Sequence, residues 1–391
     1  MTTLGPQLNI FLIAGEPSGD LLGAHLIDSL NRISPDTISY AGVGGPLMQS
    51  RGFKSLFDYR ELAVMGFLEV LPHIYKLLQR INLVKEEIEK VNPDVIITID
   101  SPSFCFRVLK RLNTHNKPRI HYVAPQIWAW RENRVYKYKK YIDHVLALFP
   151  FEPPYFNNVG LPCTFVSHPI IENTATADEG RGFRTRNSIG LDDLVVCALP
   201  GSRRSEVKKL MPVIVNTVNQ LSFTNKKIHV IIPTVSTVTN EVRKLANFKA
   251  DITIIENNKE KYSAFAASDI AIASSGTVTL ELACALVPSV VVYKVSPLTA
   301  LLARFLVKVK YVSIVNILVE REIFPEFLQS DCKASKIVVS LNKMIEDNVY
   351  RDKIIDAEKS LVKLIKIDNE LPSDMASKIV LKIMQNYKYT T

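Results

Sequence analysis

The sequence predicts an α/β protein made of two doubly wound, parallel-sheet halves in tandem. Three observations lead there. Short β-branched apolar runs recur along the chain, helix-length segments separate them, and a polar stretch without a clear period divides the runs into two sets. Strands bounded by turn residues and alternating with helices form βαβ units, whose strands pair in parallel. A length of 391 residues is also more than one core usually organises. The composition, 47% apolar and 22% charged, is that of a folded globular chain.

In chain order, the first half offers strands at LNIFLIA (8–14), TISYAG (37–42), DVIITID (94–100), RIHYVA (119–124) and HVLALF (144–149). The second half offers DLVVCALP (193–200), IHVIIPT (228–234), ITIIE (252–256), DIAIAS (269–274) and SVVVYKV (289–295). Residues 170–193 are polar and aperiodic, so the linker is expected there. Helices from Ala334 onward close the second half. Two such halves would leave a cleft, with the carboxyl ends of both sheets facing it.

Several function classes recede at this level. The formal charge of +9 points to an anionic partner, but the cations are spread out and no Lys/Arg cluster favours nucleic acid. Five widely spaced cysteines with no C-x-x-C read as buried thiols of a reducing compartment. MTTLGPQ lacks the basic start of a signal peptide, and no uncharged apolar run is long enough to span a bilayer. There is no D-x-D, no P-loop, no G-x-S-x-G and no H-x-x-x-H pair.

The chemistry-bearing stretches follow strands. AGEPSGD (14–20) leaves the first strand with Glu16, Ser18, Gly19 and Asp20. These residues either line a pocket or, through Ser18 and the carboxylates, cap and complement the next helix. AGVGGP (41–46) is half of a dinucleotide fingerprint, with Leu47 where the third Gly belongs. Asp100 ends a buried strand, and partial desolvation there suits a general base; an N-cap or loop acid is the plainer alternative. Trp128 and Trp130, two apart in a loop or edge strand, would share one face, either to stack on a sugar or to plug the core.

In the second half, LPGSRRSEV places Gly201 and Ser202 in a tight turn before a helix starting near Ser205. Arg203 and Arg204 add charge, and Ser205 or Glu206 is the cap. ASSGTVTLE repeats that logic with Ser275, Gly276 and Thr277 at a helix start, and Glu281 one turn in, within reach of a ribose diol. Arg304 and Lys308 share a face of an apolar segment that either meets an anionic membrane or packs on the sheet. Val64, Met65, Phe67 and Leu68 form an apolar group expected to touch lipid.

Together AGEPSGDLLGAHLI, GVGGPLM, ELAVMGFLEVL, IDSPSF, IHYVAPQIWAWR, LPGSRRSEV, SSGTVTLE and YVSIVNIL, in this order, resemble the lipid-A-disaccharide synthase family over roughly residues 8–330. AVMGFLEVL and IWAWR are not general α/β motifs, which makes the resemblance specific. Ser167 stands where Gly is expected, and Ala124 and Gln126 where Ser is expected.

The resemblance implies a glycosyltransferase B fold of two Rossmann-like domains. Residues 1–170 would bind the acceptor and 171–365 the UDP-sugar donor, with 366–391 a helix returning to the N-terminal domain. It implies inverting transfer from UDP-2,3-diacylglucosamine to 2,3-diacylglucosamine 1-phosphate (lipid X). The products would be a β(1→6) disaccharide 1-phosphate and UDP. No metal or cofactor is implied. The place of work would be the inner face of the inner membrane, on an anionic surface, and a homodimer is allowed. Asp100 would be the base, with Glu16 the rival carboxylate. Ser18, Gly19, Asp20, Gly201, Ser202, Arg203, Arg204, Glu206, Ser275, Gly276, Thr277, Glu281 and Asn316 would bind substrate. Another UDP-sugar enzyme of this fold, such as a 2-epimerase, and a non-catalytic lipid- or nucleotide-binding protein are the alternatives.

Overall fold

In the computed structural model, residues 7–34, 36–63, 70–112, 117–130, 132–221, 226–295, 310–367 and 370–390 are described. The chain divides into two units, residues 1–169 with 365–391, and residues 170–364.

The first unit is built on a parallel sheet of seven strands: β1 (Leu8–Ala14), β2 (Ile38–Val43), β3 (Lys54–Ser55), β4 (Val95–Ile99), β5 (Arg119–Tyr122), β6 (His144–Ala147) and β7 (Cys163–Phe165). Their order is β3-β2-β1-β4-β5-β6-β7. Every residue of β4 is buried, and all of β1 except Asn9. A sheet covered by helices on both faces needs such continuous apolar runs. Gly19 lets the first helix, Pro17–Ile33, cross close over the sheet: a Cβ there would sit 3.1 Å from the Ile99 carbonyl oxygen. The last helix, Pro372–Thr390, packs on that same first helix. Ser373, Ala376, Ser377, Val380 and Met384 form its buried stripe, at the spacing of one helical face. Asp374 accepts from Ser29 Oγ at 2.6 Å and pairs with Arg32.

The second unit has six parallel strands: β8 (Leu194–Leu199), β9 (Ile228–Pro233), β10 (Asp251–Ile255), β11 (Ile270–Ser274), β12 (Ser289–Tyr293) and β13 (Glu326–Leu328). Their order is β10-β9-β8-β11-β12-β13. The polar stretch expected to be a linker is an element of this unit. It carries a 3-10 turn, Pro169–Asn173, and a helix, Ala177–Arg186. A capping box starts the helix: Thr176 Oγ1 accepts from the Glu179 amide, and Glu179 accepts from the Thr176 amide. Its one large apolar anchor, Phe183, is buried against Val195, Ile231 and Ile255. Its other ties are polar, Arg184 donating to the Ala267 carbonyl and pairing with Asp269, and a helix with one large apolar anchor shows little periodicity in sequence.

Ser167 has φ +71°, a left-handed conformation natural to glycine. This explains why Gly is the expected residue there. Here Ser167 is fully buried, and its Oγ donates to the Ile365 carbonyl at 2.5 Å. The hydroxyl ties β7's exit to the chain segment that re-enters the first unit.

Candidate active site

The strand order reverses once in each sheet, between β1 and β4 in the first and between β8 and β11 in the second. Open parallel sheets bind ligands outside the carboxyl ends of strands at such a point. The motif-bearing stretches AGEPSGD, IDSPSF, LPGSRRSEV and ASSGTVTLE leave these four strands.

In the first unit the loops after β1 and β4 touch. Ser18 Oγ donates to Asp100 Oδ2 at 2.8 Å, and the Ser101 amide donates to Asp100 Oδ1 at 2.8 Å. Ser18 therefore serves Asp100, while the N-cap position of the first helix belongs to Glu16, which is exposed. Asp100 is half-buried, and its amide donates to the Tyr122 carbonyl at 2.9 Å. Asp100 and Ser101 have φ of +53° and +42°. Val123, just past β5, has φ +81°. Non-glycine residues in this region each cost about 1–3 kcal/mol and collect at functional sites. These three line the carboxyl edge beside the switch point.

Asp20 is not in this group. It is buried, and its carboxylate accepts from the amides of Gly45, Leu47 and Met48 at 2.9–3.0 Å. It therefore anchors the GVGGP loop instead of facing substrate, because three amide donors satisfy a buried carboxylate that water cannot reach.

Trp128 lies in a helical turn, Ile127–Trp130, so the shared-face expectation, which needed extended backbone, does not hold. The Trp128 indole donates to Glu152 Oε1 at 3.3 Å and packs edge-on to Phe151. Glu152, missed in the sequence, is buried and also accepts from the amides of Leu148 and Phe149. Burial pushes its carboxyl up to about 7, against those hydrogen bonds.

In the second unit the loops after β8 and β11 border one cavity of about 410 Å³. Gly201, Ser202 and Arg203 line one side; Ser275, Gly276 and Thr277 line the other. Gly201 has φ +108°, and a Cβ there would lie 2.8 Å from that of Glu206. Glu206 accepts from the amides of Ser202 and Arg203 at 3.1 and 3.3 Å and from Arg203 Nη1 at 2.9 Å. It lines the cavity as the shaper of the turn. The expected free amides at this turn are thus partly taken. The Arg203 side chain is 77% exposed, so its pairing with Glu206 is weak and exchangeable for a ligand's charge. Arg204 is exposed and does not border the cavity.

Gly276 leaves open space, with nothing within 4 Å of a Cβ built there. Ser275 Oγ is committed to the Val312 carbonyl at 3.0 Å. Glu281 borders the cavity, and Lys261 Nζ lies 2.5 Å from its Oε2. The two side chains are only 12% and 25% exposed, which makes this a fixed floor. Lys261, above the rings of Tyr262 and Phe265, carried no sequence signal.

Asn316 is a correction. It is fully buried and committed internally: Nδ2 donates to the Phe324 carbonyl and Glu326 Oε1, and Oδ1 accepts from the amides of Ile323 and Phe324. Glu326 also accepts from the amides of Val312 and Ser313. The YVSIVNIL motif is therefore a clamp that holds Val312 against Ser275, and Asn316 acts through it.

Val64, Met65, Phe67, Leu68, Arg304 and Lys308 lie outside the described residues, and of Trp130 only the backbone is described. Among the described residues no helix is long and apolar enough to cross a membrane.

Solved structures share this architecture. A UDP-GlcNAc 2-epimerase from Neisseria meningitidis bound to UDP-GlcNAc superposes with a TM-score of 0.63 at 13% identity, covering 97% of this chain and 100% of that one. MurG of Acinetobacter baumannii gives 0.56 at 12% identity, with 97% and 100% covered. At such identity these likenesses speak for the fold alone. Two parallel doubly wound units with motif-bearing loops at both switch points define a protein of the glycosyltransferase B type. The sequence profile described as lipid-A-disaccharide synthetase matches residues 10–380. The lipid-A-disaccharide synthase of Rhodospirillum centenum is 42% identical over 380 residues, 96% of this chain and 95% of the relative. The chain belongs to the lipid-A-disaccharide synthase family, hexosyltransferases of lipid A biosynthesis.

Proposed function

We propose that the second unit binds the UDP part of a UDP-2,3-diacylglucosamine donor, and that the first unit activates the 6-hydroxyl of 2,3-diacylglucosamine 1-phosphate. The observation that carries the donor half is the cavity walled by Gly201–Arg203 and Ser275–Thr277, with Arg203 exposed and exchangeable. The diphosphate takes Arg203 from Glu206, and the Lys261–Glu281 pair offers a carboxylate to the ribose diol.

Asp100 is the general base. An acceptor hydroxyl is a poor nucleophile until a group within hydrogen-bond reach takes its proton. Ser18 and the Ser101 amide hold the Asp100 carboxylate in one orientation, so its proton-accepting oxygen is positioned before substrate arrives. The oxygen attacks the anomeric carbon in line with the departing diphosphate, and configuration inverts. The charge leaving with UDP is held by Arg203, so the step needs no separate acid. Glu16, exposed at the start of the first helix, orients the acceptor. The site of action is an anionic membrane surface, the cytoplasmic face of the inner membrane.

Turnover of purified protein with UDP-2,3-diacylglucosamine and lipid X, read by mass spectrometry, tests this. The disaccharide 1-phosphate and UDP should form together. Turnover of soluble UDP-GlcNAc instead, or UDP binding with no disaccharide, would sink the proposal.

A further inference from the structure

Outside the switch point, the first unit carries a second cavity of about 480 Å³ that the mechanism does not use. Arg107, Lys110, Arg134 and Lys137 line it, and no carboxylate does among the described residues. It lies between two helical faces. Ser103, Phe106, Arg107 and Lys110 come from the helix Pro102–Leu109 and its C-cap, which begins two residues past Asp100. Arg134, Lys137, Tyr138 and Tyr141 come from the segment around the helix Val135–Tyr138. The spacing of three and four puts each set on one side of its segment. The Phe106 and Tyr138 rings stack, with centroids 4.3 Å apart and an interplanar angle of 22°, and join the two faces.

Four cations around one concavity repel each other, and a surface that only needed solubility would intersperse carboxylates. Arg107, Lys110 and Lys137 make no ion pair among the described residues. Guanidinium groups match phosphate oxygens as a fork, and lysines add mobile point charges. Stacked aromatic rings supply an apolar platform beside that charge. The volume suits a small ligand.

We infer that this cavity binds the phosphate of a phosphorylated amphiphile, either the sugar 1-phosphate acceptor or the headgroup of a membrane phospholipid. In its acceptor form the inference rests on the function proposed above; the cavity's affinity for lipid-borne phosphate does not.

The test uses the full chain with Lys110→Ala and Lys137→Ala combined. One arm measures the Kd of micellar 2,3-diacylglucosamine 1-phosphate and of the same sugar without phosphate. The other measures sedimentation with phosphatidylglycerol–phosphatidylcholine vesicles against phosphatidylcholine alone. The expected result is a tenfold or greater loss for the phosphorylated sugar, with the dephosphorylated sugar unchanged. A loss confined to phosphatidylglycerol vesicles assigns the phosphate to the bilayer. The charge-keeping pair Lys110→Arg and Lys137→Arg should restore binding in either arm. No change in both arms, an equal loss for the dephosphorylated sugar, or no rescue by arginine overturns the inference. Retained affinity for the dephosphorylated sugar, together with an unchanged Tm, reports that the first unit of the variant is folded. Disaccharide formation by the unsubstituted protein reports on the function proposed above.

Discussion

Asp100 and its two donors make the sharpest claims about single side chains. Asp100→Asn keeps shape but accepts no proton, so kcat should fall by roughly 10²–10⁴-fold with UDP affinity unchanged. Stopped assays and calorimetry read the two quantities; near-normal turnover would move the base to Glu16 or to the substrate's own phosphate. Glu152 makes a prediction about pH. Its carboxyl is raised from 4.5 to about 7 by burial, so the folded state holds a proton that the unfolded chain has lost. The resulting stability is fully present below about pH 4.5 and is lost as pH rises through 7, on the order of 3 kcal/mol. Glu152→Gln should flatten this part of the stability–pH curve in urea titrations at pH 5 and 8. Because Trp128 donates to Glu152, indole fluorescence should titrate near pH 7 in the natural protein and not in the variant.

At the level of elements, the clamp around Asn316 connects a buried amide to an open cavity. Asn316→Ala strands the amides of Ile323 and Phe324 and the Phe324 carbonyl, at about 1–3 kcal/mol for each group left unsatisfied. The expected outcome is a lowered Tm together with weaker UDP binding, since Val312 loses its hold on Ser275. Arg203→Ala should weaken UDP by about 1.5–3 kcal/mol with no change in Tm, because that side chain is exposed.

These elements also show how far the sequence could be read. The long buried strands β1, β4, β8, β9, β11 and β12 were visible because each is a continuous apolar run, and the loops that follow four of them carry the candidate site residues. The edge strands β3, β7 and β13 were not: two or three residues of partly exposed backbone leave no pattern. Polar residues were legible as important, but their direction was not. Asp20 and Asn316 face inward onto backbone amides that only the folded chain brings to them. Lys261 and Glu152 belong to no motif, and their partners lie 20 and 24 residues away in sequence.

On the scale of the whole molecule, the second unit is an insertion into the first. Residues 170–364 are continuous, whereas the first unit needs residues 1–169 and 365–391 together. The excised segment 170–364 should fold alone and keep its affinity for UDP, measured by calorimetry. A chain ended at 365 should expose the face of the first helix that Ala376, Val380 and Met384 cover, and it should aggregate on heating well before the complete protein.

The tie between Ser167 Oγ and the Ile365 carbonyl then bears on the order of events at the ribosome. Translation delivers the sheet of the first unit before its covering helix, with the whole continuous second unit made in between. A nascent chain must therefore keep an unfinished apolar surface from self-association for as long as some two hundred residues take to emerge, on the order of tens of seconds at about 5–20 residues per second. Ser167 is the latch that the arriving segment finds waiting.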